Sequence, residues 1–254
     1  MKLLIKKIFK SNLGIHIRNL LNIYPIKINT NYLEKNFSIS DSFIWRTDKS
    51  YETVFKFKDV LNFFYGDNTN HVDLKFFSKD GQLLKNINNL NINVYNDLII
   101  DKKFMDGIED YGTFSIYHKS PTKHQSIRNS CYTGFSFKKK SHVYVHGNIP
   151  TTAKLFDNSD RIFVRNIIGK TLFSNQTYKI QNQFDDSDYI ELFIHNPCSS
   201  SIRILIDNCK FSLKSNSSSI IKLTKKEIDI QSNCYLLRPI IFNYKNDVVD
   251  VFHG

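Results

Sequence analysis

The residues best suited to chemistry lie on one short segment, His142-Val143-Tyr144-Val145-His146. Side chains of a β-strand point alternately to its two faces, so we expect His142, Tyr144 and His146 to share one face. Imidazole is a common ligand of zinc, copper, iron and nickel, and His142 and His146 are therefore candidate ligands of one transition metal. Candidates for the remaining ligands are His118, His195, His253, Asp106, Glu109 and Asp110. The alternative is the polar outer face of a strand whose valines pack in the core.

A second group of residues could hold a ligand without transforming it. Trp45 and Arg46, together with Arg128, Tyr132 and Tyr144, could build an aromatic and basic surface. Flat aromatic rings with polar neighbours suit sugar rings, and a guanidinium suits the carboxylate or phosphate of a glycan or of a lipid head group. The alternative is that Trp45 anchors a core and that Arg46 faces water.

The sequence contains no strong catalytic motif. Asp106, Glu109 and Asp110 offer the carboxylates that glycosidases use in pairs, but three acids within five residues are typical of a solvated loop. Cys131 lacks a surrounding pattern that marks a nucleophile, and no nucleophile elbow, P-loop or dinucleotide-binding glycine motif occurs. We therefore expect a binding protein, with a metal-dependent enzyme as the alternative.

Two similar runs of strands must position these residues, Tyr51–Ile100 and Tyr189–Ile230. Each passes through a strand, a loop, a second strand, a tight turn, a return strand and a polar stretch that ends in apolar residues. A further apolar strand follows each run, at Gly112–Tyr117 or at Cys234–Phe242. Short strands at regular spacing with turns between them predict β-sandwiches, and the repetition predicts two.

We thus predict an all-β protein with two immunoglobulin-like β-sandwich domains, at residues 37–140 and 141–254. The 254 residues suffice for two domains of this size and an extension. Residues 24–36 are predicted to be a linker, and residues 1–23 a basic amphipathic helix. Its apolar residues recur at three- and four-residue spacing: Leu4, Ile5, Ile8, Phe9, Leu13, Ile17, Leu20 and Leu21. Such a helix can pack on the protein, on a second copy in a homodimer, or on an anionic membrane surface.

The composition limits which partners and which cellular compartment we expect for this protein. The net charge of +11 is spread thinly, and no motif of a nucleic-acid-binding fold occurs, so nucleic acid is disfavoured as a partner. Lysines interrupt the apolar start of the chain, which argues against a secretory signal, and no segment has the length of a membrane span. We expect a cytoplasmic protein with reduced thiols, free or peripheral to the inner face of the membrane.

Several segments together carry a family resemblance: Ser40–Asp48, Asp110–Phe114, Val145–Asn148, Asn233–Pro239 and Asp250–Gly254. They resemble poorly characterised bacterial β-sandwich proteins that are encoded near surface-polysaccharide genes. The resemblance covers most of the chain beyond the N-terminal helix and implies a context of envelope glycans, not a reaction. The second half is also similar to generic immunoglobulin-like domains, a similarity that implies fold alone.

The function we predict is a non-enzymatic binding or accessory module in surface-glycan assembly. Its expected partners are a glycan or an anionic lipid head group, with the membrane surface reached through the N-terminal helix. One alternative is a metal-dependent enzyme that uses a His142/His146 site. A second alternative is a structural β-sandwich component of a larger assembly.

Overall fold

The computed structural model describes residues 37–119, 127–128, 131–155, 163–171, 175–181, 187–225 and 227–254, with Ile5, Ile8, Ser11, Leu13, Gly14 and Ile17. The predicted helix of residues 1–23 and the linker of residues 24–36 therefore lie almost entirely outside the described residues. Strands dominate the described residues, and the predicted all-β class is confirmed. No helix among these residues is long and apolar enough to cross a membrane.

The described strands alternate with short turns along the chain. They are β1 (Phe37–Asp41), β2 (Phe43–Arg46), β3 (Tyr51–Lys58), β4 (His71–Ser78), β5 (Leu83–Asn91), β6 (Tyr95–Ile100), β7 (Tyr111–Lys119), β8 (Ile127–Arg128), β9 (Cys131–Phe137), β10 (Val143–His146), β11 (Pro150–Leu155), β12 (Phe163–Asn166), β13 (Gln176–Gln181), β14 (Tyr189–His195), β15 (Ile202–Ile206), β16 (Cys209–Leu213), β17 (Ser218–Leu223), β18 (Glu227–Ser232), β19 (Ile240–Lys245) and β20 (Val248–His253). A short helix, α1 (Val60–Tyr65), follows β3, and Asp59 caps it by accepting hydrogen bonds from two of its backbone amides.

These strands form five four-stranded sheets within the described residues. Sheet A has the order β12-β11-β1-β8, sheet B β2-β7-β4-β5, sheet C β10-β9-β3-β6, sheet D β13-β18-β15-β16, and sheet E β17-β14-β19-β20. Neighbouring strands are antiparallel except for the short parallel pairing of β1 with β8. We call sheets B and C the first half and sheets D and E the second half.

The two halves share one pairing order. In sheet C, β3 lies between β6 and β9, with β10 at the edge, and in sheet E, β14 lies between β17 and β19, with β20 at the edge. Sheets B and D match in the same way. By its place in the sheet, the predicted strand at Gly112–Tyr117, which is part of β7, corresponds to β18. Of the predicted strand at Cys234–Phe242, only Ile240–Phe242 is extended, and β19, to which it belongs, corresponds to β9. The sequence pattern instead matches these two segments with each other, because strands of similar composition are distinguished only by their hydrogen-bonding neighbours.

The predicted boundary at residue 140 falls inside the hairpin of β9 and β10. The lysine run at this point is a tight turn in which Lys138 and Lys139 have positive φ (52° and 58°), as two-residue hairpin turns require. Next along the chain, β11 pairs with β1 and β12 with β11. The division into two domains stays a prediction, and hydrogen bonding places β10, β11 and β12 with the N-terminal strands.

Sheet E is buried on both faces, which explains the nearly continuous apolar run of β14. Ile190, Leu192 and Ile194 pack with residues of sheet D in one hydrophobic cluster. On the opposite face, Phe193 joins a second cluster that includes residues of sheet C. A third cluster fills the space between sheets B and C, with Trp45, Phe55, Leu74 and Phe114 among its members. The inner face of sheet C thus packs against both sheet B and sheet E, and none of the three clusters includes a residue of its outer face.

The burial pattern predicts how the four cysteines react. Cys131, Cys198 and Cys234 are buried, Cys209 is exposed, and burial raises the pKa of the Cys131 thiol well above its usual value. Because a thiolate is the reactive form, we expect one rapid equivalent with Ellman's reagent in the native protein and four equivalents in guanidinium chloride. A Cys209→Ser variant should lose the rapid equivalent and keep the other three. Rapid reaction of all four thiols in native buffer would contradict this packing.

Candidate ligand-binding face of sheet C

Trp45, a predicted ligand-binding residue, is completely buried. Its indole Nε1 donates a hydrogen bond to the backbone carbonyl of Phe77, at 2.9 Å. The ring also lies against Gly112 on the neighbouring strand, where a Cβ atom would collide with the Phe77 carbonyl and with the indole. Trp45 is therefore the core anchor that the alternative interpretation described, and it is excluded from any ligand surface.

Arg46 is also completely buried, so it neither contacts a ligand nor faces water. Its guanidinium donates to both carboxylate oxygens of Asp48, at 2.9 and 2.8 Å, and to Glu191 Oε2, at 2.8 Å. The guanidinium carbon lies 4.1 Å from the ring centre of Tyr51 and 4.6 Å from that of Phe242. Sequence reasoning missed this site because Glu191, its main distant partner, is 145 residues away.

Glu191 is the buried carboxylate of this network. It accepts a hydrogen bond from Tyr244 Oη, at 2.7 Å, and one from the ammonium of Lys49. Burial alone would raise the pKa of Glu191, but the charge of Arg46 and the hydrogen bonds from Lys49 and Tyr244 outweigh burial. The pKa of Glu191 therefore lies below its usual value, and the carboxylate is charged at neutral pH.

Arg128 lies on β8, at the edge of sheet A. It is half exposed and donates from Nε and Nη2 to the two carboxylate oxygens of Asp41, at 3.1 and 2.9 Å. This bidentate pair connects β8 to the end of β1 in the same sheet. Trp45 and Arg46 are completely buried, so the structure does not bring the five predicted residues to one surface.

Tyr132 and Tyr144 do lie together, on the outer face of sheet C. Their side chains are 39% and 42% exposed, and they belong to adjacent rows of paired residues. The ring of Tyr144 lies across Gly134 on the neighbouring strand, since a Cβ at residue 134 would lie 2.5 Å from Tyr144 Cε1. The ring of Tyr132 contacts that of His146, with 4.3 Å between the ring centres.

The same face extends over β3 and β6. Lys56 is opposite Tyr132 on one side and Asp97 on the other, and Val54 is opposite Ile99. Tyr95, opposite Lys58, is 62% exposed, and its ring centre lies 5.0 Å from the Lys58 ammonium. We call the outer face of sheet C, with its exposed Tyr95, Tyr132 and Tyr144, the tyrosine face. Sequence reasoning missed Tyr95, although Tyr95, Asp97 and Ile99 alternate with inward residues as expected for a strand with one exposed face.

Charges on the tyrosine face are largely paired. Lys56 Nζ lies 3.1 Å from Asp97 Oδ2 and 5.5 Å from the ring centre of Tyr144. His142 Nε2 lies 3.5 Å from Glu52 Oε1 at the other end of the face. The face therefore combines exposed aromatic rings with donors and acceptors, and it carries little excess charge.

The predicted metal pair is not supported by this geometry. His142 and His146 are four residues apart on an extended segment, which places their Cα atoms about 13 Å apart, too far for two ligands of one ion. His142 lies next to Glu52, whereas His146 contacts Tyr132 and its backbone hydrogen-bonds with His253. Within the described part of the chain, no group of three His, Cys, Asp or Glu residues could hold a metal ion.

The other candidate ligands are dispersed. His118 is buried, with its Nε2 3.3 Å from Asp59, and His195 lies at the end of β14 in the second half. The three carboxylates of the predicted acidic loop pair with three different lysines: Asp106 with Lys85, Glu109 with Lys102 and Asp110 with Lys79. These residues form a solvated loop, not a catalytic pair.

Comparisons with known proteins do not assign the chain to a family. No family model matches the chain, and no curated protein matches it. Among solved structures, it is similar to an anti-sigma factor domain-containing protein from Clostridium clariflavum, with 11% sequence identity and a TM-score of 0.24. That match covers 83% of this chain and 80% of the other. A TM-score this low carries no argument about fold or function.

Replacing Glu191 tests the buried network. We expect Glu191→Gln to lower the free energy of unfolding by roughly 3 kcal/mol at neutral pH, because Arg46 then loses a buried counter-charge. Since the native pKa of Glu191 lies below that of an unfolded glutamate, about 4.3, its charge contributes stability above this pH. The contribution is lost as the pH falls through the native pKa, so the difference between wild type and variant should shrink in acid.

Urea unfolding followed by Trp45 fluorescence measures this difference. Glu227→Gln, at an exposed glutamate, is the matched control and should leave the stability within about 0.5 kcal/mol of wild type. Equal effects of the two substitutions, or a difference that grows in acid, would show that the Arg46–Glu191 contact is not stabilising.

Proposed function

We propose that the protein is a non-enzymatic carbohydrate-binding or accessory module that holds a neutral glycan on its tyrosine face. The observation that carries the proposal is the exposure of Tyr95, Tyr132 and Tyr144 on one side of a four-stranded sheet. Large aromatic side chains are costly to expose to water, and their grouping on one face is typical of a binding surface.

A sugar ring fits this surface for a physical reason. The C–H face of a pyranose packs against an aromatic ring, and the phenol hydroxyl at the edge of that ring hydrogen-bonds with sugar hydroxyls. Tyr144 lies flat across Gly134, so one side of its ring is covered by the sheet. Lys56, Asp97 and His146 surround the rings with donors and acceptors.

The charge balance favours a neutral glycan over single-stranded nucleic acid. Proteins that bind single strands combine stacking rings with a positively charged groove that follows the phosphates. Here Lys56 is paired with Asp97, and the negative charge of Glu52 offsets the positive charge of Lys58. A polyanion would therefore have to displace existing ion pairs, whereas a neutral sugar would not.

We extend the proposal to architecture and context. The shared pairing order of the two halves, with a hydrophobic cluster between the sheets of each, supports two immunoglobulin-like sandwiches. We place the module in surface-glycan assembly on the cytoplasmic side of the membrane. The exposure of Ile5, Ile8, Leu13 and Ile17 supports a role for the N-terminal segment in contacting an anionic membrane or a second copy of the chain.

Substituting the tyrosines tests glycan binding directly. We expect Tyr132→Ala and Tyr144→Ala each to weaken binding to a neutral glycan about 10-fold, because each removes one stacking ring. A glycan array identifies the sugar, and isothermal titration calorimetry measures the affinity. Tyr235→Ala, outside sheet C, is the control and should bind like wild type. Absence of binding to any neutral glycan at millimolar concentration, or salt-dependent binding to oligonucleotides alone, would rule out the proposal.

Gly134 provides a second test that leaves both tyrosines in place. The Cβ of a Gly134→Ala variant would overlap the Tyr144 ring and lift it from the sheet. We expect glycan affinity to fall about 5-fold or more while near-ultraviolet circular dichroism shows an intact core. A variant that binds as tightly as wild type would show that the flat orientation of Tyr144 is unnecessary.

A further inference from the structure

A polar cavity of about 310 Å³ lies against the outer face of sheet B. Lys75 on β4 and the paired Ser115 on β7 lie on this face, whereas the alternate residues Leu74 and Ile116 point into the core. Strands β11 and β12 form a second wall, and loops of the second half complete the cavity. It therefore lies where the two halves meet, and no residue of sheet C lines it.

Lys75 brings a positive charge to this cavity. Burial, followed by the charge of Lys154, lowers the pKa of Lys75. Its neighbour Asp73 is bonded to Lys154, and no ion pair to Lys75 occurs among the described residues. The carboxylate of Asp73 offsets the charge of Lys75 only in part, because it is ion-paired with Lys154, so an anion bound in the cavity would stabilise the half-buried ammonium.

His195 and Ser199 of the second half line the same cavity, and each has a polar atom without a partner among the described residues. His195 Nδ1 and Ser199 Oγ are buried and have no hydrogen-bond partner within the described residues. Burial lowers the pKa of His195 to about 4, so the imidazole is neutral and one ring nitrogen can accept a hydrogen bond. Buried polar atoms are usually satisfied, so this pair indicates a hydroxyl-bearing partner.

We infer that this cavity binds a small anionic, polyhydroxylated molecule of the size of a monosaccharide. Its carboxylate or phosphate pairs with Lys75, and its hydroxyls hydrogen-bond with His195 and Ser199. The volume is at the lower end of the range for small-molecule sites, which suits one sugar ring. This site is separate from the tyrosine face and takes an acidic ligand, not a neutral one.

Isothermal titration with D-glucuronate and with glucose 1-phosphate tests the inference. We expect at least one of them to bind, and the preferred one identifies the anionic group. D-glucose has the hydroxyls without the anionic group, and inorganic phosphate has the anionic group without the sugar hydroxyls. Each should bind at least 10-fold more weakly. Inorganic phosphate that binds as tightly as glucose 1-phosphate would contradict the roles of His195 and Ser199.

Two variants locate binding in the cavity. Lys75→Met keeps the length of the side chain and should weaken binding about 30-fold, and Ser199→Ala should weaken it about 5-fold. Lys179→Met, at an exposed lysine of β13, is the control and should bind like wild type. Thermal unfolding verifies that each variant is folded. Absence of binding to wild type at millimolar ligand, or unchanged binding to folded Lys75→Met, would overturn the inference.

Discussion

The Arg46 guanidinium has no access to water, and it is satisfied by groups from both halves of the protein. Asp48 is local, but Glu191 and Tyr244 belong to β14 and β19 of the second half. A buried charge without its partner costs several kcal/mol. An arrangement that moved β14 away from β2 would therefore expose this guanidinium to water or leave it buried without a counter-charge. Apolar packing is tolerant of small shifts, whereas a hydrogen-bonded ion network accepts few geometries. The network thus specifies how the halves pack together.

This packing decides which surfaces remain for binding. The inner face of sheet C packs against two other sheets, against sheet B through Phe55 and against sheet E through Phe135. Its outer face is therefore the side of the sheet that can carry exposed rings. The same contact between halves brings the end of β14 over the outer face of sheet B, where the polar cavity lies. Both proposed sites follow from one arrangement: one is the surface that it leaves free, and the other is the space that it encloses.

The two sites differ in the way they would recognise a ligand. The tyrosine face offers apolar rings and paired charges, so shape and stacking would dominate there. In the described part of the chain, the cavity offers an ammonium without an ion pair and polar atoms without hydrogen-bond partners, so charge and hydrogen bonding would dominate. A protein with both could hold a neutral glycan and a small acidic sugar at once, on separate parts of its surface.

Alternation and turn residues by themselves determined the all-β class, the positions of most strands and the repeated order of the two halves, because these signals lie within neighbouring residues. The predicted boundary at residue 140 assigned Tyr132 and Tyr144 to different domains, whereas the tertiary structure joins their strands in one hairpin. Only the tertiary structure decided that Arg46 meets Glu191, that Trp45 is core, that His142 and His146 have different neighbours, and that Tyr95 joins the tyrosine face. Each of these depends on contacts between strands far apart in the chain, and a single sequence carries no local signal for which distant strands will pair.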